Sequence, residues 1–121
     1  MYKSFKDMPV WQQAMEIAEN VQRLTQGLPR SEDYGFTSQI RRSALSISAN
    51  IAEAYGRSHK LDKMNFYYFA RGSTMETQSH LEYAKRVGYM NDEHCSKLDH
   101  HLGALHSSLN KVIMTLRGST K

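Results

Sequence analysis

From residue 10 onward, apolar side chains return at Val10, Ala14, Ile17, Val21, Leu24 and Leu28, a 4,3,4,3,4 spacing that lines one side of a helix. Trp11, Met15 and Ala18 widen that stripe. Asp7 suits the cap position before it, and Pro9 is tolerated in a first turn. The segment GLPRSEDYG breaks the period, with Pro29 and Gly35 as punctuation. A second helix is predicted from about Asp33 to Arg57, with Ile40, Ala44, Ile47, Ile51 and Tyr55 on one face. After the short connection GRSHKLD, a third covers roughly Leu61 to Val87, with Phe66, Ala70, Ser73, Thr77, Leu81 and Ala84 on one side. Gly88 then stands where a C-terminal glycine is expected. The fourth helix starts near Asn91 or Asp92, either of which can cap it. Its stripe of Cys95, Leu98, Leu102, Leu105, Leu109, Val112, Ile113 and Leu116 is the cleanest in the chain. Strand-like alternation between turns is missing, and no internal repeat is visible. Four amphipathic helices with short connections predict an all-α, up-down-up-down four-helix bundle, with residues 1–121 as one domain.

The second helix carries more apolar surface than one bundle needs. Leu45, Ala49, Ala52 and Gly56 form a second stripe that points away from Ile40, Ile47 and Ile51. On the third helix Met64, Tyr68 and Met75 likewise point away from Phe66, Leu81 and Ala84. Isolated apolar residues on a surface are common and need no partner. Here two helices share the feature, small residues permit close helix approach, and Met and Tyr suit an interface core. Leu45, Ala49, Ala52, Met64, Tyr68 and Met75 are therefore the expected contacts of a self-associating chain.

Composition narrows the class. Hydrophobic residues make up 40% and charged residues 23% of the 121, as in an ordinary globular domain. The start, MYKSFKDMPVWQQ, has no apolar region of a signal peptide, and no run approaches the ~18 apolar residues of a membrane helix. A lone cysteine, Cys95, forbids an internal disulfide and suits a reducing compartment, so a cytosolic location is expected. Sixteen Lys and Arg against twelve Asp and Glu leave +4, compatible with nucleic acid or another anionic surface.

The segment QIRRSALSISANIAEAYGR, residues 39–57, closely resembles the signature of the four-helix-bundle proteins encoded in intervening sequences of bacterial 23S rRNA genes. FKDMPVWQQAMEIA, LPRSEDYGFTSQIRR and ARGSTMETQSHLEYAKRVGYM continue the match in order, whereas the fourth helix matches only in pattern. The resemblance implies a bundle that assembles into a ring-like homo-oligomer, a pentamer. A related branch is the accessory variability protein of diversity-generating retroelements, a basic pentamer that works with a reverse transcriptase and RNA. Ser48 stands where the family often has proline, Ala54 where it often has glycine, and Gln78 where it often has glutamate.

Between the two greasy faces of the second helix runs a polar seam of Gln39, Arg42, Ser46, Asn50, Glu53 and Arg57. Glu53 and Arg57 are four apart in the favourable order. Covered by another helix, the seam needs paired charges, and Arg71 and Glu76 on the third helix are the candidate partners. Arg42, Asn50, Glu53 and Glu76 are read as a structural network that fixes register, in preference to a catalytic carboxylate site. A basic, aromatic stripe of Lys63, Tyr67, Arg71, Gln78 and Lys85 runs along the third helix. Its cations can neutralise phosphate and its ring can stack on an unpaired base. Spacing alone equally describes a solvated helix face. In a ring the stripe repeats around the axis and its field multiplies, and Arg41, Arg57 and Lys60 extend it.

Other chemistry lacks its residues. Six histidines occur, but there is no HExxH, and no Glu is followed by His three positions later as di-iron bundles require. No Arg precedes a His by five to seven residues, as a helical ribonuclease of that type would need. Cys95 lies on an apolar stripe, where a buried inert thiol is expected. No glycine-rich phosphate loop is present. No metal, cofactor or catalytic activity is expected. The sequence predicts a non-enzymatic oligomer that binds structured RNA, with rRNA suggested by resemblance alone. The alternative is a scaffold holding a protein partner such as a polymerase.

Overall fold

The computed structural model describes residues 1–119. Four helices, α1 (Pro9–Thr25), α2 (Phe36–Gly56), α3 (Lys60–Arg86) and α4 (Asp92–Arg117), pack each on its neighbour in sequence, and α4 returns to α1. Among the described residues there is no strand, and no helix is long and apolar enough to cross a membrane. Short connections force neighbouring helices to run antiparallel. Contacts between remote segments agree: Tyr55 Oη donates to the Tyr2 carbonyl at 2.8 Å, and Lys60 Nζ donates to the Ser119 carbonyl at 2.5 Å. The start of α1, the end of α2, the start of α3 and the end of α4 thus share one end of the bundle.

Two helix starts differ from expectation. Asp7 does not cap α1 but closes a short 3-10 turn, Phe5–Asp7, whose cap is Ser4. Pro9 explains this, because the residue before a proline is driven out of helical geometry, and Met8 is extended at φ −73°, ψ 125°. Helix α2 begins at Phe36 rather than Asp33, because Arg30–Glu32 forms its own 3-10 turn. Glu32 then reaches forward, and its Oε1 accepts the Phe36 backbone N–H at 3.0 Å. Gly35 makes room for that carboxylate: a Cβ there would meet Glu32 Oε1 at 2.7 Å. At the far end of α3, Gly88 takes φ +80°, the left-handed geometry that ends a helix. Asn91 caps α4, its Oδ1 accepting from the His94 N–H at 2.7 Å.

Ile17, Val21, Ile40, Ile47, Ile51, Leu102, Leu105, Leu109 and Ile113 form the dry centre. Helix α3 contributes small or hydroxylated residues instead, Ala70, Thr74, Thr77 and Ala84, beside Leu81. Several buried hydroxyls are satisfied locally, Thr74 Oγ1 donating to the Ala70 carbonyl at 2.9 Å and Ser48 Oγ to the Leu45 carbonyl at 3.1 Å, whereas Thr37 Oγ1 is buried without a hydrogen-bond partner. Thr77 Oγ1 lies 3.0 Å from Ser43 Oγ, a polar bridge between α3 and α2 inside the core. Cys95 is buried with its Sγ near the Leu81 and Met90 carbonyls, and burial pushes its thiol up.

Glu32 also ties the α1–α2 loop to the α3–α4 connection at the same end of the bundle. Tyr89 Oη donates to its Oε2 at 2.7 Å, and this bond, ahead of the one from Phe36, holds the carboxyl below its ordinary 4.5. A folded value below the unfolded one gives stability that is complete above the unfolded value and lost as pH falls through the folded value. Thermal melts are expected to show stability declining below about pH 4.5, with a shallower decline in Glu32→Gln. An equally steep decline in the variant would assign the effect to other carboxylates.

Candidate nucleic-acid interface and outer apolar face

The polar seam forms where α2 meets α3. Arg42 Nη2 lies 2.6 Å from Glu76 Oε2 and 3.4 Å from Gln39 Oε1. Ser46 and Ser73 hydroxyls meet at 3.0 Å, and Asn50 Nδ2 donates to the Ser46 carbonyl at 2.9 Å. Glu53 pairs with Arg57 at 2.9 Å. His80 Nε2 lies 3.4 Å from Glu76 but lacks hydrogen-bond alignment, and it is buried without a hydrogen-bond partner. Both Arg42 and Glu76 are well exposed, which limits such a pair to ~0–1 kcal/mol. Of the two partners expected from α3, Glu76 joins the seam and Arg71 does not. Arg71 turns toward α4, donating to Asn110 Oδ1 at 3.0 Å.

The expected basic stripe is dispersed. Tyr67 is 5% exposed and packs into the core, so the expectation of a ring free to stack on a base at that surface is corrected. Lys63 donates to the Ala54 and Tyr55 carbonyls at 3.1 and 3.3 Å, capping the end of α2. Arg41 Nε donates to Thr25 Oγ1 at 2.8 Å, between α2 and α1. Gln78 bonds Asp99 of α4 at 3.2 Å. Lys85 is exposed but lies 22 residues beyond Lys63, ~33 Å along α3. Burial and distance thus break up a line that spacing on one helix suggested.

A different basic surface emerges from the antiparallel packing. Lys3, Lys6, Arg57, Lys60, Lys63, Lys111 and Arg117 gather at the end where α1 and α3 start, against Asp7, Glu53 and Asp62. The opposite end, with Arg23, Arg30, Arg41, Arg42, Lys85, Arg86 and Lys97 against Glu19, Glu32, Asp33, Glu82, Asp92 and Glu93, has no such excess. Side chains at the basic end are held in place. The Arg57 guanidinium lies 4.7 Å over the Phe66 ring, and Arg117 Nη2 donates to Tyr68 Oη at 2.8 Å. The guanidinium of Arg71 lies 5.1 Å from the same Tyr68 ring. Lys3, Lys6, Lys111 and Arg117 were missed from spacing. Assigning each chain segment to a bundle end and summing charge there would have found them.

The second apolar stripe of α2 faces outward. Leu45 is 55% exposed, Ala49 and Gly56 are exposed, and Ala52 is half-buried. On α3, Met75 is 52% exposed, and Phe69, missed from the pattern, is 56% exposed. Met64, expected at a subunit contact, is 8% exposed within a single chain, and that expectation is corrected. Tyr68 is half-buried under Arg71 and Arg117 on the α4 side. Among the described residues no group of three or more His, Cys, Asp or Glu side chains could hold a metal ion.

Comparison with known proteins adds to this geometry. The profile of a family described as "23S rRNA-intervening sequence protein" matches residues 6–111. A crystal structure of a protein of unknown function from the S23 ribosomal protein family of Bacteroides thetaiotaomicron is similar, with a TM-score of 0.80 and 27% identity. The similarity covers 86% of this chain and 97% of that one. No curated protein gives a significant match.

Proposed function

The chain belongs to the 23S rRNA-intervening sequence protein family, and from that membership we propose that it is a non-enzymatic, oligomeric, cytosolic protein that binds structured RNA through its basic end. The observation that carries this reading is the gathering of cations from the N-terminal segment, the α2–α3 turn and the end of α4. Such an array attracts phosphate without reading sequence, and its affinity falls with salt as counterions return. The test is binding of the purified protein to structured rRNA fragments across a salt series, beside a DNA duplex of equal length. Micromolar or tighter binding that weakens steeply with salt and favours RNA is the expected result. No RNA binding at low salt would return these cations to an ordinary solvated surface.

Self-association is part of the same proposal, with the ring of five copies implied by the family resemblance. Its support is the outward line of Leu45, Ala49 and Ala52, beside a groove of about 560 Å³ lined by Met15, Ala18, Arg41 and Leu45. Leu45→Glu is expected to convert the oligomer to monomer in light scattering at micromolar concentration, with helix content unchanged. A wild-type protein already monomeric there would sink the proposal. That outcome would favour the second reading, in which the exposed stripe of α2 is covered by a protein partner such as a polymerase.

A further inference from the structure

A groove of about 380 Å³ opens at the basic end, between the N-terminal segment, α3 and α4. Its floor is apolar, built from Met8, Tyr67, Val112 and Leu116, and Tyr2, Lys63, Lys111 and Thr115 complete its lining. The size falls within the ~300–1,000 Å³ of small-molecule sites. No carboxylate lines it. Two of the three N–H donors of the Lys63 ammonium go to the Ala54 and Tyr55 carbonyls, which leaves the third for a ligand. Tyr2 is held through its backbone, whose carbonyl accepts from Tyr55 Oη at 2.8 Å.

We infer that this groove is a binding site for an unpaired nucleobase of RNA, with the adjoining phosphates on Lys63 and Lys111. The inference rests on the RNA-binding reading above and specifies its mode. A heterocycle gains by leaving water against the apolar floor, and every base offers a π-face to the exposed ring of Tyr2 at the rim. A paired base inside a duplex has both faces covered and cannot enter. Charge complementarity selects the strand over a neutral ligand: the groove opens among seven cations and three acidic residues, namely those at the basic end described above. Lys63 and Lys111 stand on α3 and α4, on two sides of the same opening, as a base with a phosphate on each side requires.

The probe is a 12-nucleotide single-stranded RNA with one central 2-aminopurine, used alone and annealed to its complement. Phosphatidylglycerol vesicles serve as an alternative anionic surface. The protein is the full chain, with Thr115→Trp to fill the groove and Tyr2→Ala to remove its rim. Thr115 is exposed and bonds only within its own helix, to the Lys111 carbonyl at 2.9 Å, and Tyr2 keeps its backbone bond, so both variants are expected to melt like wild type. Wild type is expected to quench 2-aminopurine and to prefer the single strand roughly tenfold, and each variant to lose about tenfold in affinity together with the quench. The salt slope stays the same, because no phosphate contact is removed. Variants that keep wild-type affinity and quench overturn the nucleobase site and leave RNA binding at the basic end intact. Absence of binding to either RNA at low salt overturns both readings. Binding to vesicles but not to RNA overturns them as well and assigns the groove to a lipid surface.

Discussion

Lys111→Glu combined with Arg117→Glu is expected to weaken RNA binding on the order of 50–100-fold at 0.1 M salt, because each lost phosphate contact removes ~0.9 of a decade there. The salt slope should shrink by about two contacts. Both side chains are exposed on the last turns of α4, so the loss is not a folding defect. The control is Lys85→Glu with Lys97→Glu, the same change in net charge at the opposite end of the bundle. That distance exceeds the ~10 Å screening length at 0.1 M, and little change is expected. Equal losses in both pairs would mean that affinity follows net charge rather than a located surface. Arg71 and Lys85, successive cations on the stripe read from sequence, do not form such a pair. They stand ~21 Å apart along α3, and Arg71 is engaged with Asn110 and Tyr68.

The largest effect on stability is expected from Ile47→Ala. Ile47 is wholly buried near the middle of α2, and removing its branched chain leaves a void that a close-packed core refills only in part. A loss of ~2–5 kcal/mol is expected, a large share of the ~5–15 kcal/mol that holds a domain of this kind together. Urea unfolding at fixed protein concentration measures it, since an oligomer's stability depends on concentration. Leu45→Ala, two residues away and facing outward, serves as the comparison. Measured on monomeric protein, it should change stability by less than about 0.5 kcal/mol. Similar losses at both positions would contradict the assignment of inner and outer faces to α2.

These two residues also show why some of the fold was legible and some was not. In α4 one apolar face alternates with one polar face, so periodicity had a single solution, and Cys95, Leu98, Leu102, Leu105, Leu109 and Ile113 are all buried. Helix α2 has two apolar faces, and its isoleucines separated correctly from Leu45 and Ala49 because, at roughly 100° per residue, the two stripes stand at different angles around the helix. Helix α3 resisted the same reading. Its residues Met64, Phe66, Tyr67, Tyr68 and Phe69 offer large apolar or aromatic side chains in nearly every direction, while two of its core positions are Thr74 and Thr77. Those hydroxyls bond to carbonyls of their own helix; Thr77 was placed on the inner face by its spacing, but Thr74 sits in the core where the pattern put no residue. Tyr67 was consequently turned the wrong way. The basic end was illegible for another reason: its cations come from three distant stretches of chain, and only the antiparallel packing brings them together.

The unequal distribution of charge between the two ends links symmetry to behaviour. In a closed ring whose rotation axis runs along the helices, every copy points the same way, and the assembly has two unlike sides. One side would then collect the cationic excess, and the other would carry none of it. A pair related by a dyad across the helices would place its cations at opposite poles instead, and a face-to-face stack of two rings would hide one kind of side completely. In such an assembly the orientation of each copy, up or down, would decide whether an RNA met one broad landing surface or two small ones.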